Sequence, residues 1–410
     1  MKKVIIISIV LTALTVAVNA QTNGWVIQSS PTTQSLRGIT SKDANTWIAV
    51  GDGGTIIRSS DAGINWTAIS SPVTDALHGV SFRGNIGIVA GFAGRIIRTT
   101  DGGLNWVQLP RPTTRDLYCA SMSDVMAVIM GHEGTILVST DNGQTWAPHG
   151  AGTASVLFGV SVNGSFAVGV GGQGAVVMSV DGGSGWGLTV IGNQLTFFYS
   201  TSFVNASTGW LVGSAASTGS VIAKSTDFGF VWTGQTSPTT EQLFGVSFAA
   251  IDTGTAVGTN GVIIHTMNGG TSWSIQTSGT TQILNGVSFN NSNFGIAVGN
   301  AGTILRTTNG GLSGIHRISN ELPMSYSLLQ NYPNPFNPST NIRFSVPKNS
   351  TVKLTVYDML GREVETLVNE NLEPGTYNVR VDASGLSSGT YFYRLKSSDF
   401  TDTRKFVLLK

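Results

Sequence analysis

One eight-residue phrase, repeated seven times, limits what this chain can fold into more than any other feature. Its clearest copy runs from Ser139 to Trp146 (STDNGQTW): a hydroxyl residue, an acidic residue two places on, a glycine two further, and a closing tryptophan. Copies begin at Ser59, Thr99, Ser139, Ser179, Ser225, Thr266 and Thr307, separated by 40, 40, 40, 46, 41 and 41 residues. The acidic position holds Asp61, Asp101, Asp141, Asp181, Asp227, Asn268 and Asn309. An Asp or Asn there accepts hydrogen bonds from backbone amides just ahead of it, and the glycine tolerates a positive φ, so each phrase reads as a self-capped turn. The tryptophans Trp66, Trp106, Trp146, Trp186, Trp232 and Trp273 open the next strand and carry a large apolar surface to bury between sheets. A period near 40 with such flanks is the signature of propeller blades.

From Gly24 to about Gly311 each repeat reads as four short strands. In the second, Leu77–Phe82, Gly87–Gly91 and Arg95–Thr99 alternate β-branched residues between glycines, and nothing has a helical period. The last copy (TTNGGLSG) lacks its tryptophan, whereas an unmatched strand opening with Trp25 (GWVIQSS) precedes the first copy. Joining the two completes seven equal sheets and removes the exposed edges of an open array. The expectation is an all-β chain whose residues 21–311 form a seven-bladed propeller.

The turns resemble the Asp-box (BNR) repeat, in which they are structural and sit opposite the ligand face. Together with the phrases GVSF, (A/V)VGxxGTI and RTTDGGxxW, the repeats resemble the propeller of the photosystem II stability and assembly factor family. That resemblance implies a non-catalytic, protein-binding propeller; nothing else in the chain points to photosynthesis.

With the boxes between strands c and d, the opposite face is built by the d–a and b–c connections, where propellers tend to carry function. Each innermost strand opens there with one variable residue: Arg37, His78, Tyr118, Phe158, Tyr199, Phe244 and Asn285. These are the candidate ligand-binding residues, the alternative being packing between blades. The b–c loops add Asp52, Phe92, His132 with Glu133, Gln173, Asn260 and Asn300. A second recurrent position, Arg58, Arg98, Lys224, His265 and Arg306, is interrupted by Val138 and Met178 and reads either as a partial cationic ring or as stems lying on the sheet with solvated heads.

Catalysis has one candidate, a sialidase-like glycoside hydrolase, since those enzymes share Asp boxes. They place three arginines on a substrate carboxylate beside a Tyr nucleophile paired with Glu. Here Tyr118 and Tyr199 with Glu133 and Glu241 are the propeller's whole supply, and Arg37, Arg115, Tyr118 and Glu133 are the set that could be grouped into such a site. No spacing demands such a site, and no catalytic residue is assigned. No HxxxH, HExxH or clustered-Asp pattern accompanies His132, so no metal and no cofactor is expected.

Lys2, Lys3, an apolar run from Val4 to Val18 and small Ala20 read as a signal peptide over residues 1–20; the run is too short for a membrane span. Cys119 is the single cysteine, so no internal disulfide forms, and its plain reading is a buried thiol. Charged residues make up only 11% of the chain, with a net charge of +1, which gives no basis for binding nucleic acid. A monomer is expected.

After Gly311 the repeat fails. Residues 312–327 read as a linker, and residues 321–410 carry 10 of the 23 basic and 9 of the 22 acidic residues. Alternating strands such as Asn341–Val346 and Val352–Tyr357, with turns at Gly361, Gly375 and Gly389, specify a small β-sandwich over 328–410. Its motifs are Asn331 followed by Tyr332, Pro333, Asn334, Pro335 and Phe336, then Val356-Tyr357-Asp358 with Gly361 and Arg362, then Ser388 with Gly389, Thr390 and Tyr391, and the closing Lys405 with Phe406 and Val407. In that order they resemble the type A sorting domain of the type IX secretion system. The resemblance implies the type IX machinery as a partner, export through the outer membrane, and a final location in the medium or on the cell surface. The combined expectation is an exported propeller that binds an extracellular protein or glycan, with a glycoside hydrolase or a purely structural envelope protein as alternatives.

Overall fold

The structure, a computed structural model, describes residues 24–311, 315–319, 322–383, 386–397 and 400–409. The segment read as a signal peptide, residues 1–20, lies outside the described residues. Two compact units divide the chain, one ending at Ser313 and the other beginning at Gly314.

The first unit contains seven four-stranded antiparallel sheets. Blade 1 consists of Leu36–Ser41, Trp47–Gly51, Ile56–Ser59 and Thr67–Ile69, named a to d from the inside out. The remaining strands a are Leu77–Arg83, Leu117–Met122, Leu157–Asn163, Thr196–Phe203, Leu243–Phe248 and Leu284–Phe289 in blades 2 to 7. Each touches the strand a of the blades beside it, and the seventh touches the first, so the ring is closed. Strand d of blade 7 is the N-terminal pair Val26–Ile27, with Val26 opposite Arg306 and Ile27 opposite Leu305. The expected closure by the Trp25 strand is therefore what the chain forms.

Packing between blades follows one recipe. Seven apolar clusters each join two neighbouring blades, and each contains one closing tryptophan: Trp66, Trp106, Trp146, Trp186, Trp232 and Trp273 in the first six blades, and Trp25 in the seventh. In four blades the indole N–H donates to the carbonyl of the box glycine, as from Trp66 to Gly63 at 3.1 Å and from Trp232 to Gly229 at 2.9 Å. The inner strands are stitched by the serine that stands third in the GVSF phrase or at the same place in other blades. Ser81, Ser121, Ser161 and Ser247 accept hydrogen bonds from Met122, Val162, Phe203 and Phe289 N–H of the next blade, at 3.0–3.1 Å.

At the recurrent basic position three arginines bond to the next blade, while Lys224 lies over the Trp210 ring, 4.9 Å from its centroid. Arg58, Arg98 and Arg306 donate from Nε to Gly102, Asn142 and Ala62 carbonyls, at 3.1, 2.9 and 2.7 Å, each in the box turn of the following blade. They are latches between turns, because a box turn leaves that carbonyl unsatisfied within its own blade. His265 is buried, bonds Thr255 through Nδ1 at 2.9 Å, and is held neutral by burial at a pKa of about 4.

The box aspartates are wired as turn caps. Asp101 accepts from Leu104 and Asn105 N–H at 3.0 Å each, from the Asn105 amide at 2.8 Å and from the Thr99 hydroxyl at 2.7 Å. Burial alone would raise its pKa, but these donors outweigh burial and hold it at about 2; Asp141 behaves the same way. A depressed carboxyl contributes stability that is complete above the unfolded value of 3.8 and is lost as pH falls from there through about 2. The melting temperature is therefore expected to hold between pH 7 and roughly 5 and to fall below roughly 4. Hydrogen exchange should show this acid loosening at the boxes of blades 1 to 5 and not at Asn268 or Asn309, which do not titrate. Equal loosening at all seven boxes would refute the assignment.

The second unit is a sandwich of two four-stranded sheets: Ile315–Ser319, Gly375–Asp382, Ser339–Val346 and Ser327–Leu328 in one, Glu363–Leu372, Ser350–Tyr357, Gly389–Ser397 and Phe400–Leu408 in the other. The stretch read as a linker, 312–327, thus supplies the strand Ile315–Ser319 and the first residue of Ser327–Leu328. Ile315–Ser319 pairs in the ladder beside Gly375–Asp382, an edge its short, motif-free sequence did not announce. Val352, Leu354, Val356, Tyr393 and Phe406 form the core.

Candidate functional site

All seven expected ring residues occupy the same special position. In every blade the register of strand a against strand b shifts across one residue, and that residue is Arg37, His78, Tyr118, Phe158, Tyr199, Phe244 or Asn285. A β-bulge leaves one residue out of the ladder and re-aims its side chain. In most blades a glycine follows, and at Gly79 an added Cβ would stand 2.5 Å from Ala120 N, so the inner strands meet here backbone to backbone. The bulged side chains are consequently turned out to the face of the b–c and d–a loops, and all seven are half-buried.

Five of the seven join into a continuous arc. His78 stacks on Phe92 at 4.6 Å and meets Tyr118 edge-on at 5.3 Å. Tyr118 meets Phe158 at 5.4 Å, Phe158 meets Tyr199 at 5.5 Å, and Tyr199 meets Phe244 at 5.0 Å. Contacts of this geometry contribute about 0.5–1.5 kcal/mol each beyond burial, so the arc is held in place without a ligand. Burial, aided by the Arg37 charge and opposed by Asp52 and Asp116, lowers the His78 pKa to about 4, leaving the ring neutral at pH 7. The Tyr118 phenol is pushed up by burial and by Asp116.

Blades 7 and 1 complete the ring with polar groups. Arg37 makes two bonds to the Asp52 carboxylate, at 3.0 and 2.8 Å. Asn285 Nδ2 donates to Leu36 O at 2.8 Å and to Asn300 Oδ1 at 3.0 Å. The mouth is thus aromatic over five blades and polar over two.

The b–c loops resolve into two positions that sequence reasoning had merged. Asp52, Phe92, His132 and Asn300 open tight turns, and Asp52, Phe92 and Asn300 touch the bulge residues. Glu133, Gln173 and Asn260 are the second residues of these turns, at φ of 53°, 58° and 53°. Glu133 pairs with Arg115 at 2.6 Å, and Asn260 donates to Glu241 at 2.9 Å. Arg37 and Arg115 are thereby each committed to their own carboxylate, and no Tyr118–Glu133 hydrogen bond occurs among the described residues. Phe197, which the sequence reading passed over, packs beside Gly172 on the same face.

In the second unit the Asn-Pro loop is bonded to the last strand, and Gly361 with Arg362 forms a separate turn. Asn331 is buried; its amide donates to Pro333 O and Thr340 Oγ1, both at 3.0 Å. Asn334 Oδ1 accepts from Val407 N–H at 2.9 Å, and Phe336 is 3% exposed. Tyr391 donates to Ser387 O at 2.9 Å, and the Lys405 carbonyl accepts from Gln330 at 2.7 Å. Gly361 lies at φ 76° beside Arg362, whose Nε donates to Asp358 at 2.7 Å. Tyr332 is 82% exposed, and Pro333 and Pro335 are also on the surface.

The propeller sequence matches the model of the photosynthesis system II assembly factor YCF48 over residues 17–166 and 224–334, well over half of the chain. The chain belongs to the YCF48 family. Its C-terminal unit matches the secretion system C-terminal sorting domain over residues 330–409 and is a type IX sorting domain. The structure of YCF48 bound to a D1 peptide is 20% identical, with a TM-score of 0.59 over 70% of this chain and 96% of that one. YCF48 from Cyanidioschyzon merolae is 19% identical, with a TM-score of 0.58 over 69% and 98%. The WD40 propeller domain of Doa1 is 12% identical, with a TM-score of 0.55 over 69% and 96%. At these identities the likeness shows the propeller fold. No curated protein matches the chain by sequence.

Proposed function

We propose that this exported YCF48-family propeller is a non-catalytic binding module whose mouth, at the seven bulges, holds an extended segment of an extracellular partner protein. The observation that carries the reading is that seven β-bulges, one per blade, re-aim seven side chains of five kinds at one opening. A scaffold that repeats its turns and stitches almost unchanged, yet varies this one position, is arranged for recognition. Rigid aromatic rings supply contact area at small entropic cost, and Arg37 with Asn285 supplies the polar end. The relative bound to a D1 peptide belongs to the same family and fold. Against hydrolysis stand the commitment of Arg37 to Asp52 and of Arg115 to Glu133, and the capping role of Asp61 and its equivalents.

Purified full-length chain is to be incubated with envelope extract and, separately, with a broad glycan panel, and bound and released material identified by mass spectrometry. An unaltered protein ligand is expected. Tyr118→Ala combined with Tyr199→Ala should weaken its binding by about thirtyfold or more, as loss of central aromatic anchors does. Released sugar would return the hydrolase to first place, and undiminished affinity in the double variant would move the site away from the mouth.

A further inference from the structure

In the sorting unit, the sheet of Glu363–Leu372, Ser350–Tyr357, Gly389–Ser397 and Phe400–Leu408 lays one face on the core and turns the other to water. Alternation along each strand sorts the side chains. Tyr391, Tyr393 and Leu395 are buried, whereas Phe392, Arg394 and Lys396 between them are exposed. The register then places Lys353 opposite Lys396, Tyr357 opposite Phe392, and Phe392 opposite Lys405, all on the outer face. Four cations and two aromatic rings therefore share one flat surface.

Composition alone does not produce this face. Residues 321–410 carry 10 basic and 9 acidic residues, yet Glu363, opposite Tyr357, is the one carboxylate that the register sets here among the described side chains. Glu363 answers Lys353 at 3.2 Å. Lys396 and Lys405 have no carboxylate partner among the described residues. Arg394 is held over the Tyr357 ring, 5.0 Å from its centroid, with its Nε donating to Thr403 at 3.2 Å. Like charges directly opposite one another weaken a sheet, and of the pair Lys353 and Lys396 only the first is offset. A local rule broken in this way marks a surface selected for something outside the fold.

We propose that this face docks on a bilayer surface of anionic phospholipid, with phosphates against Lys353, Arg394, Lys396 and Lys405 and the Phe392 ring at headgroup depth. Charge complementarity selects the partner, since each Lys or Arg beside an anionic surface adds attraction and aromatic rings favour the headgroup layer. A flat membrane fits better than an acidic polypeptide. The two central strands, Ser350–Tyr357 and Gly389–Ser397, are paired on both sides, so the part of the sheet that bears most of these groups leaves an incoming strand no edge to join. The surface makes no use of the propeller mouth.

The test is flotation of purified full-length chain with two sets of vesicles, phosphatidylcholine alone and phosphatidylcholine with about a third phosphatidylglycerol. Binding is expected to the second set only, and it should be lost as salt rises to about 0.5 M, because such contacts are screened. Arg394→Gln with Lys396→Gln should weaken it about twenty- to thirtyfold. Arg343→Gln with Arg380→Gln removes the same charge from the outward face of the other sheet and should leave binding unchanged. All four residues are exposed, so both variants should fold, which their melting curves check. Equal weakening by the two pairs would reduce the effect to net charge and overturn the docking face. Retention on both vesicle sets alike, or on neither, also overturns it. Chain that ignores the vesicles but is held by immobilised polyglutamate through Arg394 and Lys396 has an acidic protein as its partner, and the membrane is then ruled out.

Discussion

Trp25→Ala is expected to lower the stability of the propeller by about 3–5 kcal/mol, the range for emptying a buried aromatic site. For a unit of this size that corresponds to a melting point roughly 5–8 °C lower. Trp25 is 3% exposed and packs edge-on against Phe289 at 5.8 Å, in the cluster that joins blades 6 and 7. Its indole donates to Gln276 at 2.8 Å, and Gln276 passes the contact on to the Gly310 carbonyl of the last box at 3.0 Å. Every other closing tryptophan lies in a blade continuous in sequence. Trp25 alone holds a blade assembled from both ends of the unit, so its loss also frees the Val26–Ile27 strand and exposes the edge at Ile304–Thr307. Trp25→Phe keeps most of the packing but orphans Gln276 Oε1, and about 1–3 kcal/mol is expected for that. Ile27→Ala, at a 57% exposed position of the same strand, is the control. If calorimetry finds Trp25→Ala no worse than Ile27→Ala, the N-terminal strand does not secure the ring.

Ring closure was legible because it left two halves of one pattern in the sequence, a box without its tryptophan and a tryptophan without its box. The blade count was legible for the same reason. The bulges were not, since a bulge changes register without changing composition; only the fixed phrase Leu-x-Gly around Arg37, His78 and Phe158 hints at it. Variation at those positions picked out the residues that sit on the bulges, but only the structure shows that Tyr118 and Phe158 touch while Arg37 turns to Asp52. The arginines before the boxes were misjudged because their partners lie 44 residues away for Arg58 and 244 for Arg306, in the next blade. Phe197 escaped notice because its place is defined by the missing side chain of Gly172, a relation that no single repeat contains. The strand at Ile315–Ser319 was hidden because its partner, Gly375–Asp382, lies far along the chain.

In the sorting unit the most consequential substitution is Phe336→Ala, for which a loss of about 3–5 kcal/mol is expected. Phe336 is 3% exposed and meets Phe406 edge-on at 5.1 Å, while Phe406 in turn lies against Tyr391 and Tyr393. Its N–H donates to Val407 O at 3.1 Å and its carbonyl accepts from Leu409 N–H at 3.0 Å, so Phe336 adds two backbone bonds to the hold that Asn334 has on the end of the chain. A unit this small has total stability on the order of 5 kcal/mol, and a loss of that size leaves a large fraction of molecules with the loop and final strand undone. Export should fall accordingly, with the protein retained in the cell, and the low-temperature transition of the full chain should move while the propeller transition stays. Tyr332→Ala, at an 82% exposed position four residues earlier, should leave both transitions in place. Normal export of Phe336→Ala despite an early-melting C-terminal unit would mean that the machinery reads the motif as extended chain. Retention of a stably folded Tyr332→Ala would place the recognised surface on the exposed side of the same loop.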